Sequence, residues 1–336
     1  MGYDGPHGTN RKEVHMKTGR LLLALIALAV AMPAAGAYPE KNIQYIIPFV
    51  PGGESDVMAR WQQTIFRLKH KHELIVVNKP GAANTIGWAY LNQHAGDGHY
   101  IATYSPALIG NRIMGTTQLN YQDFTPLNIL AREFVLFAVK GDSPITSLKD
   151  LTARLKKDSQ SASFAFATAR GNHNHIVMSM YLKSIGVDPK MAKAVVYSGG
   201  GEGQTALFGG HIDVYMASPR SMMGPHKEGR ARILGISSGQ RQSGDLAVIP
   251  TLKEQGYDAE FFTWRGFMGP KGLKPGEIAY WDAAFEKLAQ TPEWKKDTEE
   301  QFWNADYLLS AKTREHLDRE NTVMRGILTD LGLAKQ

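Results

Sequence analysis

Apolar residues follow two alternating rhythms along most of this chain. Ile43-Gln44-Tyr45-Ile46-Ile47 is a short apolar run closed by Pro48 and the turn Pro51-Gly52-Gly53, which predicts a strand ending in a tight turn. Val57, Met58, Trp61, Ile65 and Leu68 then recur at helical spacing, with Ser55 or Asp56 placed to cap the first turn. The unit repeats. Leu74 to Val77 predicts a strand, Lys79-Pro80-Gly81-Ala82-Ala83 a turn, Asn84 a cap for a helix through Leu91, and Tyr100 to Tyr104 a third strand. A second set occupies the middle of the chain, with strands at Phe164 to Ala167, Ala194 to Tyr197, Ile212 to Met216 and Arg232 to Ile236, and helices near 174–184, 201–209 and 219–228. Beyond Phe261 the pattern turns mostly helical. Leu317, Met324, Ile327, Leu328 and Leu331 give the last helix an apolar stripe, which predicts that this tail packs back on the first set. Strands alternating with helices are βαβ units. They build mostly parallel sheets, with a ligand crevice at the carboxyl ends of the strands.

Length turns one sheet into two. The chain has 336 residues, beyond the usual domain of about 100–200 residues, so two lobes are expected. Residues 38–140 with 264–336 make lobe 1 and residues 141–263 make lobe 2. The chain then crosses near Lys140-Gly141-Asp142 and near Phe262-Thr263-Trp264, giving two hinge strands. The formal charge of +6 raises the possibility of a nucleic-acid partner. Its distribution argues against one: residues 1–37 carry four basic and two acidic groups, and the remaining charges are interspersed along predicted helices as on a solvated surface. Cysteine is absent, which removes disulfides, thiolate catalysis and Cys-type zinc sites together.

The amino terminus reads as an export signal. Met16-Lys17-Thr18-Gly19-Arg20 is a basic stretch, Leu21 to Met32 an apolar run of 12 residues, and Ala35-Gly36-Ala37 a small-x-small cleavage site. As a helix that run spans only about 18 Å, against a bilayer core of about 30 Å, so a cleaved signal is expected rather than an anchor. The mature chain would begin at Tyr38 and be free in the periplasm. Residues 1–15 form an extension ahead of a start at Met16.

Four loops carry the candidate chemistry. The turn Pro51-Gly52-Gly53-Glu54-Ser55-Asp56 places backbone N–H groups and a hydroxyl at a helix amino terminus, where the orphan donors and the positive dipole end favour an anion. An ordinary βα turn is the alternative reading of this loop alone. Lys79 to Asn84, Thr168-Ala169-Arg170-Gly171-Asn172-His173 and Ser198-Gly199-Gly200-Gly201-Glu202 have the same character, two loops to a lobe. Facing one another, they describe a cleft of backbone donors that suits a carboxylate. Neither G-x-G-x-x-G nor G-K-[ST] occurs, which excludes the dinucleotide and P-loop fingerprints.

Tyr38-Pro39-Glu40-Lys41, Ile47-Pro48-Phe49 through Asp56, Val77-Asn78-Lys79-Pro80-Gly81, Leu207-Phe208-Gly209-Gly210-His211-Ile212-Asp213, and Ile249-Pro250-Thr251 followed by Gly256 resemble, in order and spacing, the substrate-binding proteins of tripartite tricarboxylate transporters, the Bug family. The resemblance implies an α/β fold of the two-lobed periplasmic binding protein class, type II-like. It also implies a monomeric, non-catalytic receptor that delivers a small carboxylate to a membrane permease of that transporter type. Three departures from the family pattern bear on the ligand. Glu54 stands where the family usually has a small residue, Ala217-Ser218 where it usually has an acid, and Arg170, His173 and His175 where small and hydroxyl residues are commoner. The missing acid weighs against an amino-acid ligand. The cationic loop favours a second ligand carboxylate held by Arg170 or His173, hence a di- or tricarboxylate.

The candidate ligand-binding residues are thus Phe49, Pro51, Gly52, Gly53, Ser55, Asn84, Ser105, Thr168, Arg170, Asn172, His173, Gly201, Glu202 and Ser218, with Tyr104, Tyr197 and Trp264 as an aromatic wall for a planar ligand. Core packing is the alternative for those three rings. Asp56 is expected to serve as a helix cap and Asp213 to secure a strand end. His173-Asn174-His175 lacks a third ligand, so no metal is expected, and no cofactor. No Gly-x-Ser-x-Gly elbow surrounds Ser55, Ser105, Ser198 or Ser218, which argues against a hydrolase built on any of these four serines. A periplasmic sensor handing its ligand to a receptor kinase stays open beside transport.

Overall fold

The computed structural model describes residues 1–3, 38–69, 71–305 and 307–335. The apolar leader and its cleavage site lie outside the described residues. Both sheets and the cleft belong to the unit Lys41–Gln336.

The first sheet has the order β11 (Leu308–Leu309), β4 (Phe124–Phe134), β10 (Phe262–Pro270), β3 (Tyr100–Tyr104), β1 (Ile43–Ile47), β2 (Leu74–Asn78). The second has the order β7 (Lys193–Tyr197), β6 (Ser163–Ala167), β8 (Val214–Ala217), β5 (Leu136–Lys140), β9 (Ala231–Ile236). The two sheets with their helices form the two lobes. The expected strands and helices stand close to their expected bounds. Parallel pairing is confined to the βαβ units, β1 with β2 and β3, and β6 with β7 and β8. The strands that enter or leave a lobe, β4, β5 and β10, run antiparallel to their neighbours, so both sheets are mixed.

The first crossing lies earlier than the sequence predicts. Val135 alone separates β4 from β5, so the chain changes sheets at Phe134-Val135-Leu136 and not near Lys140-Gly141-Asp142. Leu136–Lys140 therefore pairs in the second sheet. No glycine interrupts the chain from Phe124 to Lys140, and the transition sits inside a continuous run that is almost entirely buried. The return crossing is stitched to the first. The Val135 and Ser237 N–H groups donate to Ser237 Oγ and Val135 O, both at 2.9 Å, and Ser237 Oγ donates to Phe261 O at 2.6 Å. Phe262, Thr263 and Trp264 begin β10. That strand passes so close to β4 that a Cβ on Gly266 would lie 1.9 Å from Asn128 O, which only glycine avoids.

The helices used below are α1 (Glu54–Lys69), α2 (Thr85–Asn92), α3 (Ala107–Ile113), α4 (Leu148–Lys157), α5 (His173–Ser184), α6 (Gly200–Phe208) and α7 (Pro219–Lys227). After β10 come α8 (Pro275–Gln290), α9 (Pro292–Glu300) and α10 (Ser310–Asp330). The expected tail stripe is present: Leu317, Met324, Leu328 and Leu331 are buried and Ile327 half-buried, with α10 against β4 and α3 of the first lobe. Burying each such side chain contributes about 1.5–3 kcal/mol, which holds the carboxyl-terminal segment to the lobe formed by the chain's start.

Candidate functional site

A cavity of about 950 Å³ opens between the lobes, walled by the ends of strands and the starts of helices from both. The corner after β1 is tied by one buried carboxylate. Gly52, at φ 78°, donates its N–H to Asp56 Oδ2 at 2.8 Å, and Gly53 N–H turns back to Val50 O at 3.3 Å. Asp56 also accepts from Arg60 Nε and Nη2, both at 3.0 Å, and from Asn78 Nδ2 at 2.8 Å. Burial alone would raise the Asp56 pKa. The hydrogen bonds from Arg60, the Gly52 N–H and Asn78, with the Arg60 charge, outweigh it and hold the group below its ordinary value. Neither Ser55 nor Asp56 is shown capping a first-turn amide: Asp56 reaches back from inside the first turn to the Gly52 N–H ahead of the helix and ties the corner down. Gly52 and Gly53 spend their N–H groups on the corner itself, which leaves the first-turn amides of Glu54 and Ser55, without intrahelical acceptors, as the donors on this wall.

The other loops are braced in different ways. Ala82, Ala83 and Asn84 are consecutive left-handed residues, at φ 46°, 51° and 75°, and Asn111 Nδ2 holds Ala83 O at 2.6 Å. Asn84 precedes α2 but makes no side-chain cap bond, because the left-handed backbone carries its amide elsewhere; its Nδ2 is buried without a partner at the cavity wall. Asn172 caps α5 by accepting from His175 N–H at 3.0 Å and donates to Ala167 O at 2.6 Å. Ser218 caps α7 through Ser221 N–H at 3.3 Å. At α6, Gly199 occupies the cap position and offers no side chain. The starts of α1, α2, α3, α5, α6 and α7 thus line one cavity. Asp213 sits away from it and secures the strand end, accepting from Ser163 N–H and Oγ at 2.7 Å each.

Thirteen of the seventeen expected residues border the cavity: Phe49, Pro51, Gly52, Gly53, Ser55, Asn84, Ser105, Thr168, Asn172, His173, Gly201, Glu202 and Ser218. Four do not. Arg170 is exposed and donates to Ala194 O at 3.3 Å, so the loop reaches the cleft while its guanidinium lies on the outer surface. Tyr104 and Trp264 are core rings packed edge to face at 5.0 Å, with Trp264 Nε1 donating to Glu320 Oε1 at 3.4 Å. Tyr197 ends the edge strand β7, packed against the second core. The aromatic wall is therefore absent: those rings fill core volume. His173 is pushed down to about 3 by burial and by the nearby Arg265, so it is neutral, not a cation.

Five charged residues border the cavity, and the candidate list held only Glu202 of them. Glu133 on β4 and Arg265 on β10 form a buried pair at 2.6 Å, with side chains 2% and 7% exposed. Glu54, on the first lobe, accepts from Ser218 Oγ of the second at 2.8 Å and faces Arg220 Nη1 at 3.6 Å. Glu54 Oε2 and Glu133 Oε1 are buried without a hydrogen-bond partner. The signal for Glu133 and Arg265 was a charge inside each of two apolar runs, which demands a buried partner. Among the described residues no group of three His, Cys, Asp or Glu could hold a metal, and no helix is long and apolar enough to cross a membrane.

The model of the tripartite tricarboxylate transporter family receptors matches residues 58–327. Protein BugT of Bordetella pertussis is 27% identical over 266 residues, covering 76% of this chain and 80% of that protein. An R. palustris protein solved with adipate superposes with a TM-score of 0.81 at 20% identity, over 88% of this chain and 99% of that one. MatC from Rhodopseudomonas palustris with bound malate gives a TM-score of 0.76 at 19% identity, over 87% of this chain and 100% of the other. At these identities the two structures establish the two-lobed α/β fold.

Proposed function

The chain belongs to the tripartite tricarboxylate transporter receptor family, and from that premise we propose that it is a periplasmic solute-binding protein that holds a small carboxylate between its lobes and delivers it to a membrane permease of that transporter type. The observation that carries this reading is the cavity where helix amino termini from both lobes converge. First-turn amides of α1 and α6 supply donors and a positive dipole end, and a carboxylate is the small-molecule group that uses both. Two structural neighbours hold dicarboxylates, adipate and malate, which supports the same chemistry. Ligand bridging both walls favours the closed arrangement of the lobes by its differential contacts.

A thermal-shift screen of aliphatic mono-, di- and tricarboxylates, sugars and amines tests the assignment, because a ligand of the folded state raises the melting temperature by mass action. Carboxylates are expected to stabilise the protein. Stabilisation by sugars or simple amines, with every carboxylate inert, would overturn the reading.

A further inference from the structure

The cleft also holds an acidic cluster, and its chemistry is the opposite of the helix-start amides. Glu54 and Glu133 border the cavity, and each keeps one buried carboxylate oxygen without a hydrogen-bond partner. Glu133 is 2% exposed. An unsatisfied buried acceptor is costly, and more so when ionised, so a donor is required there. The two guanidiniums nearby are engaged: Arg265 with Glu133 at 2.6 Å, and Arg220 with Glu54 at 3.6 Å. With His173 neutral, the three glutamates bordering the cavity outnumber its two arginines. A second ligand carboxylate placed here would meet two carboxylates and find no uncommitted cation. Asn84 Nδ2, at the wall of the same cavity beside the start of α2, is a buried donor without a partner. Buried acceptors lacking donors and a buried donor lacking an acceptor, lining one cavity, describe a dipolar ligand.

We infer that the cleft takes an amino carboxylate, its carboxylate toward the helix starts and Asn84, its ammonium between Glu54 and Glu133. Resting on the carboxylate reading above, this narrows the ligand class and assigns Glu54 and Glu133 as the residues that select the amino end. Glu54 is fixed for that task from the other lobe, since Ser218 Oγ donates to its Oε1 at 2.8 Å. The ammonium would join the two lobes through a group that already spans them.

The experiment is calorimetric titration with straight-chain ω-amino carboxylates and α-amino acids, set against dicarboxylates and monocarboxylates of the same chain length. Amino carboxylates are expected to bind at least about tenfold more tightly than length-matched dicarboxylates, and Glu54→Gln to remove about tenfold of that preference, each tenfold corresponding to roughly 1.4 kcal/mol. Glu133→Gln leaves Arg265 unpaired and risks the fold, so wild-type pH dependence is the independent check. Glu133 is raised above its ordinary value by burial, against the pull of Arg265 and with the push of Glu54; Arg220 lowers it. These groups face it from α1, β10 and α7, and His173 on α5 faces Arg265. An ammonium favours ionised Glu133, so amino-carboxylate affinity should rise from about pH 6 to about pH 8 with release of a proton. A second carboxylate favours the protonated form, and its affinity should fall over the same range. Dicarboxylates that bind as well as amino carboxylates, indifferent to Glu54→Gln, would overturn the amino assignment and leave the carboxylate reading standing. Binding by no carboxylate of any kind would overturn both.

Discussion

The two glycine-rich corners, after β1 and after β7, use one hydrogen bond and differ in everything around it. In each an acid four residues on accepts the corner's N–H: Gly52 to Asp56 at 2.8 Å, Ser198 to Glu202 at 3.1 Å. Asp56 is 2% exposed and is also gripped by Arg60 and Asn78, the latter donating to Phe49 O as well. Glu202 is exposed and follows three glycines. The first corner is thus locked before any ligand arrives, while the second keeps the backbone freedom that glycine confers. One wall is preorganised and the other is able to adapt. A closing cleft benefits from both, because a rigid site lowers the ordering cost of binding and a compliant one adjusts to the ligand's length.

Four expected outcomes would sharpen or break this contrast. The largest concerns the buried ion pair at the cavity, against which both corners can be measured: Arg265→Ala should destabilise the protein by about 3–5 kcal/mol, since it strands the buried Glu133 carboxylate. Urea denaturation measures it, and a loss below about 1 kcal/mol would mean the pair is hydrated and not a structural anchor. Next, Asp56→Ala should cost about 2–3 kcal/mol of stability, because several charge-assisted hydrogen bonds go at once, and should weaken ligand binding with it. Third, acid titration of stability should carry an Asp56 contribution. Its folded pKa is lowered, so its stabilisation is complete above the unfolded value of about 3.9 and is lost as pH falls through the folded one. In Asp56→Asn that acid limb should flatten. Smallest is Glu202→Ala, expected to change stability by no more than about 0.5 kcal/mol. Equal losses for Asp56→Ala and Glu202→Ala in one denaturation series would erase the distinction between the walls.

The βαβ units were legible because their signals are local. A strand ending in Pro-Gly and a helix at 3.6-residue spacing announce themselves within about fifteen residues. The change of sheet at Val135 has no local signal, since a strand entering the second sheet is as apolar as the one leaving the first. The four loops were legible for the same reason as the strands. What each side chain does within them was not: Arg170 and His173 are three residues apart, yet one lies outside and the other borders the cavity, as the left-handed Gly171 bends the loop between them. Glu133 and Arg265 are separated by 132 positions and meet only through the β4–β10 ladder. Tyr104 and Trp264, expected in the cleft, went to the core, where their large apolar area stabilises most.

The stitching of two crossings also sets an order of assembly. Every strand of the second sheet comes from one continuous stretch, Leu136 to Ile236, whereas the first sheet needs β10 and β11 from beyond Phe261. A ribosome issues residues from the amino end, so the second sheet has all its strands while the first still lacks two and the helix α10 that covers it. Such long-range closure is the slow, late kind. The braced wall around Asp56 is made from early residues, Phe49 to Asn78, yet it belongs to a sheet that only the last strands complete.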